Sequence, residues 1–119
     1  MRRVLISDDS DIVRGLIRSF LERFPEVEVC AEADNGREAV DAALRLKPEL
    51  VILDVLMPKL NGIEVASILK KNLPNTKLIL FTMYGEYVKT LAYAAGVDIV
   101  LPKPDGLTPL VEALGAVLK

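Results

Sequence analysis

Asp8-Asp9, Asp54, Thr82 and Lys103 are the residues whose types and spacing could do chemistry in this chain. Each comes at or just past the end of an apolar run: Val4-Leu5-Ile6, Val51-Ile52-Leu53, Leu78 to Phe81, and Ile99 to Leu101. If those runs lie side by side, three carboxylates, a hydroxyl and an ammonium meet at one edge. Two unit charges about 4 Å apart repel by about 4 kcal/mol at an effective dielectric of about 20. A hard divalent cation relieves that repulsion. Magnesium suits the set, because it takes few protein carboxylates, keeps several waters and accepts phosphate oxygen. Cation, ammonium and hydroxyl are what a phosphoryl group needs to have its charge spread during transfer. A carboxylate can itself be the nucleophile, giving an acyl phosphate. Asp54, alone at its strand end, is best placed for that role, and the pair Asp8-Asp9 for holding the metal. Taken singly, each group has a plainer use. Asp8, Asp9 and Ser10 could cap a helix, Thr82 could be a β-branched strand residue, and Lys103 could be a solvated charge. Their convergence on one edge carries the reading.

That convergence requires alternating strands and helices. Arg3 to Ser7 reads as a first strand, and the acidic cluster Asp8-Asp9-Ser10-Asp11 starts a helix. Val13, Leu16, Ile17, Phe20, Leu21 and Phe24 recur at helical spacing until Pro25 stops the pattern. Val27 to Ala33 is a second strand whose partial alternation predicts a less enclosed position. Asn35 can cap the next helix, with Ala39, Val40, Ala43 and Leu44 on one face. The run Val51 to Leu53 reads as a strand buried on both faces. Met57-Pro58 then turns the chain, and Asn61-Gly62 offers a tight loop before a helix from about Ile63 to Asn72, with Val65, Ile68 and Leu69 inward. Leu78 to Phe81 is a fourth strand and Glu86 to Ala95 a weakly patterned helix, with Gly96 as its C′ residue. Ile99 to Leu101 is a short fifth strand. Thr108 caps a last helix with Pro109 in its first turn and Leu110, Val111, Leu114, Val117 and Leu118 inward.

Strict alternation implies a parallel sheet covered on both sides, with right-handed crossovers. The predicted fold class is α/β: a flavodoxin-like, doubly wound five-stranded parallel sheet in the order 2-1-3-4-5, with five helices. That order puts the first and third strands together at the switch point, where open α/β sheets bind ligands.

The chain of 119 residues fits one domain over residues 1–119, and a hydrophobic fraction of 51% is ample for a core. Net charge is -2 and no basic stripe is visible, so direct nucleic-acid binding by this domain is not expected. The single cysteine, Cys30, cannot form an internal disulfide and reads as a small buried hydrophobe. The apolar run in MRRVLIS stops at Asp8, too soon for a signal peptide. No apolar stretch is long enough to span a bilayer. A cytoplasmic protein without membrane contact is expected.

The pieces VLISDDS, LVILDVLMPKLNG, LILFTMYG and VLPKP, in that order, make the chain similar to the response regulator receiver domains of bacterial two-component signalling. The likeness covers nearly all of it. It implies a phosphoacceptor that assists its own phosphoryl transfer and dephosphorylation rather than an ordinary enzyme. Asp54 would take the phosphoryl group from a sensor histidine kinase or phosphotransfer protein. Asp9 and Asp54 would ligate magnesium together with the backbone carbonyl of Leu56, and Asp8 would act largely through water. Thr82 would close on the phosphoryl group, Lys103 would pair with it, and the Lys103-Pro104 bond would be cis. Phosphorylation would switch the surface formed by the fourth helix, fifth strand and fifth helix, which could pair with a second copy as a homodimer or bind a target. The chain could also be the N-terminal part of a longer transcriptional regulator.

Several positions depart from the family pattern. Val100 stands where a switch aromatic is usual, with Tyr84 or Tyr87 as substitutes. Met83 follows Thr82 where a small residue is usual. Leu56 and Tyr84 occupy positions that tune hydrolysis and are bulky here, which predicts a slowly decaying phosphorylated form. Pro102 before Lys103 is unusual. Three other readings compete. A small haloacid-dehalogenase-type phosphatase would use Asp9 as nucleophile, since Asp9-Ser10-Asp11-Ile12-Val13 formally matches its motif. A flavin carrier on the same fold needs a phosphate cradle after the first strand, where this chain is acidic. A receiver-like scaffold without phosphate turnover is disfavoured by the intact site.

Overall fold

The computed structural model describes residues 2–103 together with Glu112, Ala113 and Ala116. Leu50–Leu53 carries no polar side chain and is buried along its length, so it can only be an interior strand. Around it strands and helices alternate: β1 (Arg2–Ser7), α1 (Asp11–Leu21), β2 (Val27–Ala33), α2 (Gly36–Leu46), β3 (Leu50–Leu53), α3 (Gly62–Asn72), β4 (Lys77–Thr82), α4 (Gly85–Ala94) and β5 (Ile99–Pro102). All pairings are parallel, and the sheet runs β2-β1-β3-β4-β5. Both the class and the order agree with the expectation from sequence.

Strand alternation divides the interior into two layers. Leu5, Val51, Leu53, Leu78 and Leu80 face α2, α3 and α4, meeting Ala39, Ala43, Val65, Leu69 and Ala92. Val4, Ile6, Leu50, Ile52, Ile79 and Phe81 face the other way, onto Ile17 and Leu21 of α1, with Ala113 against the same layer. The helix expected from Thr108 falls largely outside the described residues, and so does the Lys103-Pro104 bond. Four helices are therefore described, with Glu112, Ala113 and Ala116 also helical.

The edge strand β2 is only partly enclosed, as its alternation predicts. Cys30 lies on it and is half-buried rather than buried. Its thiol points at the Val4 carbonyl, 3.5 Å away, and burial pushes its pKa up. Three leucines with helical spacing also turn outward: Leu16 of α1, Leu44 of α2, expected on the inner face with Ala39, Val40 and Ala43, and Leu91 of α4 are exposed. No helix among the described residues is long and apolar enough to cross a membrane.

The loop after β3 is held by close backbone approaches. Asn61 caps α3, and with Glu64 it forms a reciprocal capping box. The Gly62 amide donates to the Val55 carbonyl at 2.9 Å, and a Cβ at Gly62 would sit 2.1 Å from the Asp54 carbonyl oxygen. Gly36 allows the same loop to dock on α2, where a Cβ would meet the Leu60 carbonyl oxygen at 2.0 Å. Lys59 has a φ of 72°, with the Leu60 amide donating to the Pro58 carbonyl across it, which is a γ-turn.

Two substitutions test this loop by urea denaturation. Gly62→Ala should destabilise by about 1–3 kcal/mol, since the added carbon must displace backbone. Lys59→Gly should stabilise by up to about 1 kcal/mol, because glycine adopts positive φ without the Cβ penalty.

Candidate functional site

β1 and β3 lie side by side where the sheet order reverses, and their ends carry Asp8 and Asp54. The Asp54 amide donates to the Ser7 carbonyl at 3.0 Å and the Asp8 amide to the Ala33 carbonyl at 3.1 Å, so both acids continue the ladder. Both are almost fully buried, at 2% and 7% exposure. The buried Ser7 hydroxyl donates to the Met57 thioether at 3.0 Å, tying the loop after Asp54 to the end of β1.

Each acid is anchored locally. Asp8 Oδ1 accepts from the Ser10 amide at 2.9 Å, and Asp54 Oδ1 accepts from the Val55 amide at 2.7 Å. Their second oxygens share one donor. Lys103 Nζ lies 2.6 Å from Asp8 Oδ2 and 2.9 Å from Asp54 Oδ2, and its side chain is mostly buried. The ammonium also stands 6.0 Å from the centre of the Phe81 ring. Asp9 is exposed, yet its carboxylate joins the group: oxygens of Asp8, Asp9 and Asp54 lie within 4.8 Å of one another.

Charge in this pocket is poorly solvated. Burial pushes the Asp8 carboxyl above its ordinary value, and the nearby Asp54 charge adds to that push. The bond from Lys103 and the Ser10 amide pull the other way without prevailing. Burial works to lower the Lys103 pKa, but its bonds to Asp8 and Asp54 together outweigh it, so the ammonium is held charged. Three carboxylates face one ammonium, which leaves the pocket with excess negative charge. Hard oxygens this close, with one acid reaching solvent, fit a hard divalent cation.

The sequence-derived set thus meets in large part: Asp8, Asp9, Asp54 and Lys103 are together. Thr82 is fully buried at the end of β4, in register with Pro102, the residue before Lys103. Its Oγ1 accepts from the Tyr84 amide at 3.3 Å. Leu56 follows in the loop after Asp54, with its side chain exposed, as are those of Met83 and Tyr84. Asp11, which the phosphatase motif would need beside Asp9, is turned outward at 89% exposure and pairs with Arg14.

Two residues carry contacts that the sequence offers no reason to expect. Arg14 reaches back from α1 to the main chain of Asp8, a direction that long helical side chains favour. Tyr93 of α4 meets β5: its hydroxyl accepts from the Val100 amide at 3.3 Å. Nothing in the order of residues announces that contact, because it depends on how α4 lies across β5.

Residues 4–115 match the family profile of the response regulator receiver domain. The chemotaxis protein CheY of Thermotoga maritima is 37% identical over 119 residues, covering 99% of this chain and 98% of that protein. The response regulator protein VraR of Staphylococcus saprophyticus is 34% identical over 113 residues, covering 94% of this chain and 54% of that protein, so the chain spans about half of its length. Among solved structures, a two-component response regulator of the LuxR family from Aurantimonas sp. superposes with a TM-score of 0.89 at 31% identity, over 98% of this chain and 84% of that one.

The pKa direction at Asp8 has a consequence for stability. A carboxyl whose folded pKa is raised stabilises the fold only while protonated, and that contribution is lost as pH rises through the folded value. Ionised Asp8 is therefore a cost at neutral pH. In metal-free buffer at pH 7, Asp8→Asn should therefore raise the thermal midpoint. The gap should close when scans are repeated below the ordinary carboxylate value of 3.8.

Proposed function

The chain belongs to the response regulator receiver domain family, and from that membership we propose that Asp54 is its phosphoryl acceptor. The observation that carries the proposal is the ammonium of Lys103, shared between Asp54 and Asp8 beside the exposed Asp9. A carboxylate oxygen of Asp54 attacks the phosphorus of a phosphohistidine on a sensor kinase or phosphotransfer protein. The P–O bond forms as the P–N bond breaks, and the departing imidazole takes its proton from solvent. The product is an aspartyl phosphate, an acyl phosphate.

Asp9, Asp54 and the Leu56 carbonyl would hold magnesium, with Asp8 acting through water. When bound, the ion offsets negative charge on the phosphoryl oxygens. Lys103 keeps Asp8 and exchanges its bond to Asp54 for one to the new phosphoryl oxygen. The Thr82 hydroxyl turns to donate to another of those oxygens, which biases the segment from Met83 to Leu101. That segment, with the helix that follows β5, forms the output surface, and a second copy of the chain is one partner for it.

The acidic balance and missing basic stripe support a single receiver domain, over residues 1–119, that does not touch nucleic acid itself. A relative roughly twice as long and a LuxR-family neighbour support its being the N-terminal part of a cytoplasmic transcriptional regulator.

Incubation with a small acyl phosphate and magnesium should add one phosphoryl group, read by intact mass and released by hydroxylamine. Asp54→Asn should fall to background. Labelling that persists in Asp54→Asn and vanishes in Asp9→Asn would favour the phosphatase reading instead. Once formed, the label should outlast desalting, and Leu56→Asn should shorten its lifetime by opening a path for water. A wild-type label lost within the dead time of desalting argues against bulky residues slowing hydrolysis.

A further inference from the structure

Arg14 stands behind the acid pair and has no part in the transfer just described. Its guanidinium Nη1 donates to the main-chain carbonyl of Asp8 at 2.6 Å. Its Nε lies 3.4 Å from Glu32 Oε1 on β2, and Nη2 pairs with Asp11. The side chain is only 14% exposed, unusual for an arginine on a first helix.

The carbonyl it grips belongs to the peptide joining Asp8 to Asp9. Because a peptide is planar, fixing its C=O also fixes the direction in which the Asp9 Cα leaves. This matters because the two acids are held differently. The Asp8 carboxylate is anchored by Lys103 and the Ser10 amide. The Asp9 side chain is exposed and makes no hydrogen bond or ion pair among the described residues, yet its oxygen comes within 4.8 Å of the other two acids. Where Asp9 points is therefore decided by its backbone, which two side chains hold: Asp8, whose Oδ1 takes the Ser10 amide across Asp9, and Arg14, which grips the Asp8 carbonyl from the helix.

We propose that Arg14 is a positioning residue for the cation: it clamps the Asp8–Asp9 peptide so that Asp9 is presented toward Asp8 and Asp54. This rests on the reading of the acid cluster as a magnesium site. A guanidinium near such a site also carries a charge that repels a divalent ion. Here Asp11 and Glu32 both pair with it, which offsets that charge and leaves the clamp as the larger effect. The two effects have opposite signs. Removing the clamp weakens the cation, whereas removing a bare charge would tighten it.

Magnesium titrated into the unphosphorylated chain by calorimetry reads that sign. Arg14→Gln should weaken magnesium by roughly tenfold, the scale of groups that orient metal ligands. Arg14→Lys, which keeps the charge but not the planar fork, should fall between. Labelling by a small acyl phosphate should need more magnesium in Arg14→Gln and regain the wild-type rate at saturation. Unchanged or tighter magnesium binding overturns the clamp. If circular dichroism shows that Arg14→Gln does not fold, Arg14→Lys decides, since it keeps the charge: weaker binding supports the proposal and unchanged or tighter binding overturns it. A wild-type chain that binds no magnesium sinks the cation site itself. Loss of magnesium in Asp9→Asn with full binding in Arg14→Gln sinks only the clamp.

Discussion

One ammonium between two buried acids is the contact on which this structure turns. Asp8 and Asp54 sit almost out of water, and an unpaired buried carboxylate is strongly unfavourable. Lys103 meets both, at 2.6 and 2.9 Å. It arrives from the end of β5, two strands away from β3, so the bond exists only if β4 and β5 are laid down in the right order. The sheet is thus what brings together three groups widely separated along the chain. The same contact is incomplete by design of its charges: a single positive group cannot neutralise three acids, and the pocket keeps an affinity for positive charge.

Much of this was legible in the order of residues. An unbroken apolar stretch identified β3, and a carboxylate at its end marked the edge where the acid cluster gathers. Polar groups ending β1 and β4, and the lysine just past β5, then indicated what the edge could bind. Asn61-Gly62 announced the start of α3, and the structure shows why glycine is needed there: the helix begins against the carbonyl of Asp54. These features are local, or follow from strand alternation, so a linear pattern can report them.

What was not legible depends on neighbours that a pattern does not name. Helical spacing groups Leu16 with Ile17 and Leu21, but only the latter two meet the sheet, because Leu16 lies at the margin of the stripe. Cys30 shares the exposed-side alternation of an edge strand, so it is half-covered where a central strand would have buried it. Nothing in the helical pattern of α1 marks Arg14, whose place is set by the Asp8 carbonyl it reaches. Tyr93 likewise gains its meaning from β5, where its phenol oxygen takes the backbone amide of Val100. The γ-turn at Lys59 had no warning, since lysine carries no preference for positive φ.

The four described helices do not begin alike. Ser10, Asn35 and Asn61 each close a helix entrance with a side-chain oxygen, whereas α4 opens at Tyr84 with none. The Tyr84 amide leans instead on the hydroxyl of Thr82, below it on the rigid strand. The threshold of α4 is consequently fastened to a hydroxyl at the same sheet edge as Asp8 and Asp54. The entrance of this helix therefore depends on how one strand hydroxyl is turned: rotating the Thr82 side chain would release the amide that opens α4.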